Sequence, residues 1–390
     1  DNGGFLMPSN DITKLLKLEG LNFETYEEKE KYIILNFSRK DERPNCPRCG
    51  STNLHINDYR IHKATDLPIN NKPVKLHILK QRYICDECKK TVTGSLKNVL
   101  PRKQYTEKVI PFIKEKLKQL TYKDCSKELK ISSTTTMRLF KNSTNYKEPS
   151  EFPKVIHIDE FKGNSSKEKY QLAIVNGETG KMFDVLINRK QRDLKEYLQI
   201  PKGNPEIVVI DMWEPYYNAV KSLWPEVTVI ADRFHYVRQI NWCVRDVRLR
   251  IQKTHLEGNK LKKYWKLFMK KSSKLSFIQK EKLEELLSLN NELRIAYDIK
   301  KAFESVISMK SEEAHEEFDK WLDELQLIKI PEAEKLFKTF DNWYSEVTAS
   351  FYYDYNNGIA EGINNKIKVI KRQAYGIRNF DNFRRLIMHR

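Results

Sequence analysis

Residues 205–214 read PEIVVIDMWE, and the run IVVI at 207–210 decides the fold. Four consecutive branched apolar residues predict a short strand that is buried on both faces, as in a sheet covered by helices on each side. The strand ends on a carboxylate, Asp211, directly before EPYYNAVKSLW, which predicts a helix. A buried strand followed by a helix indicates an α/β unit, and the acid at their junction calls for a chemical explanation.

Similar strands lie on either side of this stretch. KVIHIDEFKG predicts an apolar strand that ends at Asp159, and VTVIADRFH predicts another that ends at Asp232. Residues 169–189 predict a hairpin with an Asn-Gly turn signal, and QRDLKEYL at 191–198 predicts a helix. The order of strand, hairpin, helix, strand, helix and strand predicts an α/β layout with a mixed sheet.

The acids after these strands suggest a metal site. Carboxylates at the ends of neighbouring strands meet where an open sheet presents its ligand crevice. Asp159 and Asp211 would repel each other there unless a cation lay between them, and Mg²⁺ prefers oxygen ligands. Two such ions about 3.5–4 Å apart would hold the attacking and leaving oxygens of a phosphodiester in line. The alternative is that Asp211 only caps the following helix.

Composition indicates a protein that binds a polyanion. The 390 residues are enough for two or three domains, and 32% of them are charged, with a mean hydropathy of −0.68. No run approaches the roughly 20 apolar residues of a membrane helix, so we expect a cytoplasmic protein. The net charge is +18, and residues 43–147 carry 23 lysines and arginines against 8 acids. Nucleic acid is the commonest partner for such a region.

Two C-x-x-C motifs lie in the same basic region. CPRC contains Cys46 and Cys49, and CDEC contains Cys85 and Cys88, so four thiolates are available to one tetrahedral zinc ion. The gap between the motifs exceeds the usual spacing, but an enlarged hairpin would span it. Disulfides are disfavoured in a cytosolic protein, and a redox role is less typical of paired motifs. Three histidines between the motifs are alternative ligands, namely His55, His62 and His77.

A predicted helix-turn-helix follows the cysteines. Apolar residues recur at helical spacing in YTEKVIPFIKEKL, TYKDCSKEL predicts a capped second helix, and STTTMRLFKN predicts a third. The last helix of such a motif enters the major groove of DNA. Its candidate DNA-binding residues are Ser133, Thr134, Thr135, Arg138 and Lys141. YKEPSEFP, with two prolines and no periodicity, predicts a linker.

A family resemblance rests on motifs that follow one another along the chain. They are the cysteine pairs, the predicted helix-turn-helix, IHIDEFK, VVIDMWEPY, ADRFH and the highly specific YNNGIAEGINNKIKVIKRQAYGIRNFDNFRRLI at 355–387. In this order they resemble the bacterial insertion-sequence transposases of the ISL-three family, over nearly the whole chain from Cys46. The resemblance implies a DDE transposase with an RNase H-like catalytic core that uses two Mg²⁺ or Mn²⁺ ions.

The resemblance also assigns site residues. The catalytic, metal-binding triad falls on Asp159, Asp211 and Glu361, and the pair Asp232 and His235 matches an accessory D-x-x-H motif. Asp232 and Asp354 compete with Glu361 for the third place.

Helical spacing adds a candidate DNA-binding face near Glu361. The isoleucines 359, 363, 367 and 370 would form one buried stripe, and Glu361 lies off it. Lys368 and Arg372 follow Glu361 at i+7 and i+11, so we expect them to bind phosphate on its face.

The predicted fold class is multidomain: an N-terminal zinc ribbon, a helix-turn-helix domain, and an α/β RNase H-like core interrupted by an all-helical insertion. The predicted segments are 8–95 for the N-terminal segment and ribbon, 96–146 for the helix-turn-helix, 147–153 for the linker, 154–240 for the first part of the core, 241–351 for the insertion and 352–390 for the final core helix. We interpret the tryptophans of the insertion, at 242, 265, 321 and 343, as core side chains.

The expected function is transposition. The protein would bind the double-stranded ends of its insertion sequence, hydrolyse phosphodiester bonds and join the freed 3′-hydroxyls to target DNA, as a homodimer or larger synaptic assembly. One structural Zn²⁺ and two Mg²⁺ or Mn²⁺ ions are the expected cofactors. The alternatives are a transposase-derived DNA-binding regulator, which would bind without cutting, and a structure-specific nuclease, which would cut branched DNA without particular ends.

Overall fold

A computed structural model of the chain describes residues 9–39, 43–94, 96, 99, 104–144, 149–163, 168–353, 355, 358–374 and 377–390, without the side chains of 9–11 and 358–361. The chain forms two compact units. The first comprises 1–146, 372–377 and 381–390, and the second comprises 147–371 and 378–380.

The strands of the described residues are β1 Leu21–Glu28, β2 Ile33–Arg39, β3 Leu54–Ile69, β4 Lys72–Cys85, β5 Thr91–Thr93, β6 Val155–Lys162, β7 Tyr170–Asn176, β8 Met182–Leu186, β9 Ile207–Ile210 and β10 Thr228–Ala231. The helices are α1 Ser9–Leu15, α2 Val109–Leu117, α3 Tyr122–Leu129, α4 Ser133–Ser143, α5 Gln191–Leu198, α6 Glu214–Leu223, α7 Arg233–Thr254, α8 Gly258–Lys263, α9 Trp265–Met269, α10 Phe277–Leu287, α11 Asn291–Val306, α12 Ser311–Leu327, α13 Pro331–Asn342, α14 Tyr344–Tyr352, α15 Gly358–Gln373 and α16 Phe380–His389, with a 3₁₀ turn at Ser272–Lys274.

The first unit contains a long hairpin that joins the two cysteine pairs. Strands β3 and β4 pair antiparallel from Leu54↔Cys85 to Ile69↔Lys72, so both cysteine motifs lie at one end of the hairpin. At its other end, β2 pairs with β4 in parallel and β1 pairs with β2, which gives the sheet order β1-β2-β4-β3 with β5 beside β4. The enlarged hairpin therefore accounts for the wide spacing between the cysteine motifs.

Three short helices, α2 to α4, also belong to the first unit. The side chain of Thr121 caps α3 by accepting from the backbone N–H of Asp124, and Ser132 caps α4 by accepting from Thr135 N–H. Between the two helices, Lys130 adopts a left-handed conformation with φ 49° that ends α3 and turns the chain. Helices α3 and α4 lie where the sequence predicts them, because cap and turn residues occur at their boundaries.

The C-terminal residues complete the first unit. Phe383 and Leu386 of α16 are buried, and the ring of His389 lies edge-on to Phe140 of α4 with centroids 5.0 Å apart. His389 and Arg390 bond the end of α2, through the carbonyls of Lys114 and Leu117. We expected all of 352–390 in the catalytic core, but 381–390 pack in the first unit. The apolar stripe of α16 predicts a buried face without indicating its partner.

The second unit contains a mixed sheet in the order β10-β9-β6-β7-β8. Strands β10, β9 and β6 are parallel, and β6, β7 and β8 are antiparallel. All four residues of β9 are buried, as the run IVVI predicts. Val208 and Ile210 pack in the cluster that includes α5 and α6, whereas Ile207 and Val209 pack in a second cluster that Ala349 of α14 contacts.

Strand β6 is longer than predicted. It continues through Asp159 to Lys162, because β7 remains paired with it over the register Asp159↔Ala173 to Lys162↔Tyr170 after β9 has ended. Asp159 therefore lies within the strand, although it is the first residue beyond the parallel pairing.

The described residues between 233 and 352 are helical, apart from short connections. Their largest core joins α7 to α10–α14 and contains Tyr236, Phe303, Phe318, Trp321 and Phe340. We expected the helical segment to begin near 241, but α7 begins at Arg233, directly after β10. Trp321 is buried as expected, whereas Trp242 and Trp265 are 37% and 45% exposed, so their interpretation as core side chains was wrong.

Candidate functional site

The register of the parallel strands brings three acids to the same level. Ile158 of β6 lies opposite Ile210 of β9, and Ile210 lies opposite Ala231 of β10. The next residues along the three strands are Asp159, Asp211 and Asp232. Because parallel strands run in one direction, these residues emerge side by side at the carboxyl edge of the sheet.

Asp159, Asp211 and His235 form a compact donor cluster. One ligand atom from each lies within 4.8 Å of the other two. His235 lies in the first turn of α7, and its Nε2 atom lies 2.7 Å from Oδ1 of Asp211. Asp159 and Asp211 therefore converge at this edge of the sheet, where the sequence predicts a carboxylate pair.

The surroundings of Asp159 disfavour its negative charge, so a cation bound there would be stabilising. Burial, and then the charge of Asp211, raise the pKa of Asp159 to about 6. The backbone N–H of Glu160 donates to Oδ1 at 2.6 Å, and the side-chain amide of Asn364 donates to Oδ2. A divalent cation between Asp159 and Asp211 would remove the repulsion that raises this pKa, so the donor set fits a hard metal ion.

Asp211 and Asp232 differ in what they do locally. Helix α6 has Trp213 at its N-cap without a side-chain hydrogen bond, so Asp211 does not cap it and that alternative is wrong. Asp232 caps α7 by accepting from the backbone N–H of Phe234 at 2.9 Å. It is 5% exposed, and burial raises its pKa to about 7. Asp232 thus has a structural task that Asp211 lacks.

The tautomer of His235 follows from its neighbours. Burial would lower the pKa of His235, but its hydrogen bond to Asp211 and the charges of Asp211 and Asp232 outweigh this and raise it, against an opposing effect of Arg238. Arg238 Nη2 lies 2.8 Å from Nδ1, and a guanidinium can only donate, so Nδ1 accepts. With Nδ1 accepting, a proton on Nε2 faces Oδ1 of Asp211, 2.7 Å away. In this state His235 orients Asp211 and has no lone pair at Nε2 for a metal.

The acids open into a cleft that residues outside the predicted set also line. Its volume is about 380 Å³. Glu160 accepts from Arg189 Nη1 at 3.2 and 3.0 Å and from the hydroxyl of Tyr216 at 2.8 Å. The guanidinium of Arg189 also lies over the rings of Tyr170 and Trp213, 4.7 and 5.0 Å from their centroids.

Sequence reasoning missed this network. DEF and DMW place Glu160 and Trp213 beside predicted site residues, which was the available signal. Arg189 lies 29 residues away from Glu160, and no motif marks it.

The third predicted acid lies in α15, but the side chain of Glu361 is outside the described residues, as is Asp354. One turn later on the same helix, Asn364 contacts Asp159. Ile367 and Ile370 are buried and Ile363 is half-buried, in agreement with the predicted stripe, while Ile359 lies outside the described side chains. Lys368 and Arg372 are exposed.

The four cysteines form a second donor cluster. All four Sγ atoms lie within 4.8 Å of one another, with Cys46–Cys88 at 3.4 Å and Cys49–Cys85 at 3.5 Å. A tetrahedral zinc ion with Zn–S bonds of about 2.3 Å separates its sulfurs by about 3.8 Å, so the cluster fits structural zinc. His55 contacts Asp86 instead of joining the sulfurs.

The two cysteine knuckles repeat one local geometry. The backbone N–H of Gly50 donates to Cys46 O, and that of Lys89 donates to Cys85 O, at 2.8 and 2.9 Å. Both donors have positive φ, 76° for Gly50 and 55° for Lys89. Backbone N–H groups of Arg48 and Cys49 point to Cys46 and lower its pKa. The pKa of Cys49 is raised by burial and by the neighbouring sulfurs, so the thiols titrate as one interacting set.

The predicted DNA-reading helix presents the expected side chains to solvent. Ser133, Thr134, Arg138 and Lys141 of α4 are exposed, and Thr135 is half-buried. The opposite face contains Thr136, Leu139 and Phe140, which are buried. Across the described residues, no helix combines the length and apolar character needed to cross a membrane.

Two family profiles match the chain. One, for the DDE transposase domain of ISL3 elements and described as transposase, matches residues 156–387. The other, described as the zinc-finger of transposase IS204/IS1001/IS1096/IS1165, matches residues 42–88 and so contains all four cysteines. The first profile covers the mixed sheet and its helices, and the second covers the cysteine hairpin.

The curated relatives include two transposases and one protein with a different name. The transposase for insertion sequence element IS1001 of Bordetella parapertussis is 23% identical over 353 residues, which are 87% of this chain and 86% of that protein. The transposase for insertion sequence element IS1557 of Mycobacterium tuberculosis (strain ATCC 25618 / H37Rv) is 28% identical over 101 residues, 26% of this chain and 23% of that protein. A protein named ATP-dependent protease, from Lactococcus lactis subsp. lactis, is 32% identical over 109 residues, 28% of this chain and 34% of its own length.

The first profile covers more than half of the chain and includes the strands that carry the three level acids. With the cysteine cluster matched separately, the family resemblance drawn from the sequence motifs is confirmed. The chain belongs to the ISL3 family of transposases.

Proposed function

We propose that the protein cleaves phosphodiester bonds at the ends of its insertion sequence and joins the freed 3′-hydroxyls to target DNA. The observation that carries this proposal is the pair Asp159 and Asp211, level on neighbouring strands, with the pKa of Asp159 raised by burial and by Asp211. Two converging acids whose mutual repulsion a divalent cation would offset suit metal-assisted phosphoryl transfer.

The reaction takes two steps. Water attacks the phosphorus at the element end, the bond to the 3′ oxygen breaks, and that oxygen leaves as a 3′-hydroxyl. This hydroxyl then attacks a phosphodiester of the target and displaces its 3′ oxygen. Two bound Mg²⁺ or Mn²⁺ ions would stabilise charge on the attacking and leaving oxygens. No covalent bond to a protein side chain is needed, in contrast to tyrosine and serine recombinases.

The chain's own residues position the reacting groups. Asp159 and Asp211 would hold the ions from rigid, buried strands. His235 donates to Asp211 and fixes its orientation, and Arg238 fixes the tautomer of His235. Asn364 orients Asp159 by donating to its Oδ2.

Glu361 is the third carboxylate of the proposed triad. The contact between Asn364 and Asp159 supports this assignment, because residues at i and i+3 share one face of a helix. The capping bond of Asp232 argues against giving the third place to that acid. Asp232 and His235 together form the accessory D-x-x-H motif.

The domain assignment follows the two compact units. The first unit, with its cysteine hairpin and α2–α4, would bind the element ends, and one structural Zn²⁺ would hold its ribbon together. Helices α3 and α4 form a helix-turn-helix whose α4 reads the major groove through its exposed residues. The second unit is the RNase H-like core, interrupted by the helical insertion. Lys368, exposed on α15 of this unit, contacts DNA phosphate. Arg372, exposed at the end of α15, does the same.

Two element ends must be held together during transposition, so the working form is a homodimer or a larger synaptic assembly on double-stranded DNA. Such a complex acts in the bacterial cytoplasm, on the nucleoid.

The test uses a supercoiled plasmid that carries the gene with its flanking DNA. Purified wild-type protein with Mg²⁺ should nick or cut at the element ends, and Asp159→Asn should bind the ends equally well without cutting. Binding without cleavage by the wild-type protein would indicate a DNA-binding regulator. Cleavage that depends on branched structure and ignores the element ends would indicate a nuclease.

A further inference from the structure

The outer face of α7 carries exposed aromatic side chains that the proposed mechanism does not use. Phe234 is 53% exposed and Trp242 is 37% exposed, two helical turns further on. By contrast, Trp321 in the same helical segment is 4% exposed. An indole left at the surface, on a helix that starts beside the catalytic acids, points to a binding role.

Arginines flank these rings. The guanidinium of Arg238 lies 4.8 Å from the Trp242 ring centroid and 5.7 Å from that of Phe234, and Arg245 lies 5.3 Å from Trp242. Arg245 is paired with Asp246 at 2.8 Å, so its charge is partly compensated. Arg238 has no carboxylate within ion-pair distance among the described residues, and its positive charge faces the cleft.

A cavity continues the cleft along α7. It has a volume of about 240 Å³, with Trp242 in its wall and Cys243 and Leu336 among its apolar lining. Gln239 lines both this cavity and the cleft of the acids, so the two adjoin. The structure gives the amide of Gln239 no hydrogen-bond partner within the described part of the chain. Glu332, which also lines the cavity, is compensated by Arg250 at 2.8 Å.

These groups match the chemistry of an unpaired nucleotide. An indole face flanked by guanidinium groups stacks a base, an unpaired amide can bond its edge, and Arg238 can neutralise the adjoining phosphate. Arg238 and Trp242 are four residues apart, about 6 Å along the helix. A base within a duplex cannot offer its face to a side chain, so the ligand must be unpaired.

We propose that Trp242, with Arg238 and Gln239, binds an unpaired nucleobase of the DNA strand that lies in the carboxylate cleft. This inference rests on the proposed function, because it assumes that the strand bound by Trp242 is the strand that the protein cleaves.

The experiment uses the full-length protein and a dodecamer of oligothymidine with one central 5-iododeoxyuridine, in a chelator-free buffer without Mg²⁺ or Mn²⁺, so that no cleavage occurs and structural zinc is retained. Long-wavelength irradiation crosslinks this base to an aromatic side chain that it touches, and trypsin releases residues 239–245, which contain Trp242. Mass spectrometry should find the crosslink on that peptide. Trp242→Ala should weaken oligonucleotide binding about tenfold, and Trp242→Phe by about threefold or less.

Trp265→Ala is the matched control, because Trp265 is also exposed in the helical segment and Lys266 Nζ lies 6.0 Å from its ring centroid. It should leave the affinity unchanged.

Crosslinks confined to other peptides, together with unchanged affinity of Trp242→Ala, would overturn the inference. Mg²⁺-dependent cleavage at element ends would in that case still support the proposed function. An altered oligomeric state of Trp242→Ala with intact affinity would also overturn it, in favour of a second protein copy on this face. A crosslink at 239–245 from a protein that never cleaves would instead contradict the proposed function alone.

Discussion

His235 Nε2 lies 2.7 Å from Asp211 Oδ1, and the other ring nitrogen of His235 accepts from Arg238. The histidine therefore lies between an arginine and the acid proposed to hold the metal, where it can orient that acid. A D-x-x-H histidine can orient a carboxylate as a donor or bind metal through a lone pair, and the contact with Arg238 favours the donor role for His235.

His235→Gln should keep part of the cleavage activity, because its amide can still donate towards Asp211. His235→Ala should lose about 10- to 100-fold at saturating Mg²⁺, without loss of end binding. Single-turnover cleavage across a Mg²⁺ titration measures both effects. The control is His315→Ala, which removes a histidine that bonds two tyrosines far along the chain. A cleavage defect of His235→Gln that excess Mg²⁺ repairs would show instead that His235 is a ligand.

Asp232→Asn should retain cleavage within a few-fold, because asparagine caps helices as well as aspartate does. Asp232→Ala should lower the free energy of unfolding by about 1 kcal/mol, through loss of the bond to the Phe234 N–H. Denaturant unfolding and cleavage assays on both variants check this. Abolished cleavage by a stable Asp232→Asn protein would make Asp232 a metal ligand and displace Glu361.

Cys85→Ser should unfold the cysteine hairpin, because structural zinc contributes on the order of 10 kcal/mol to small modules. The mixed sheet of the second unit should stay folded. Zinc content by mass spectrometry and limited proteolysis around residues 43–94 give the two readouts. Cys243→Ser, at a buried cysteine outside the cluster, is the control and should retain zinc. Protein purified without chelator and found free of zinc would refute the assignment.

Arg138→Ala should reduce discrimination between element-end and random DNA more than it reduces overall affinity, because base contacts specify and phosphate contacts position. Lys123→Ala, which removes an exposed charge from the preceding helix, should lower both affinities alike. Competition binding at fixed salt measures the ratio. An equal loss of affinity for both DNAs in Arg138→Ala would contradict the proposal that α4 reads the major groove.

Much of the candidate site at the sheet edge was predictable, because periodicity and strand direction determine where its acids lie. The run IVVI predicts a buried strand, and buried strands in an α/β order predict a parallel register, so Asp159 and Asp211 were expected to converge. The wide cysteine spacing was compatible with an enlarged hairpin, and β3 and β4 form one.

Contacts between distant segments were beyond sequence reasoning. Asn364 and Asp159 are separated by 205 residues, and Arg189 and Glu160 by 29, so no local pattern links them. The tautomer of His235 depends on a guanidinium that only folding brings near. Similarly, the exposure of Trp242 could not be read from helical spacing, because that pattern does not tell which neighbours cover each face.

We propose that Asp211 holds the divalent metal used for cleavage, and replacing its ligand atom changes which metal supports the reaction. End cleavage should be measured for wild-type protein, Asp211→Asn and Asp211→Cys in Mg²⁺ and in Mn²⁺. We predict no cleavage by Asp211→Asn in either metal, and cleavage by Asp211→Cys in Mn²⁺ only, because a thiolate binds the softer ion better. Cleavage at the wild-type rate by Asp211→Asn in Mg²⁺ would contradict the account.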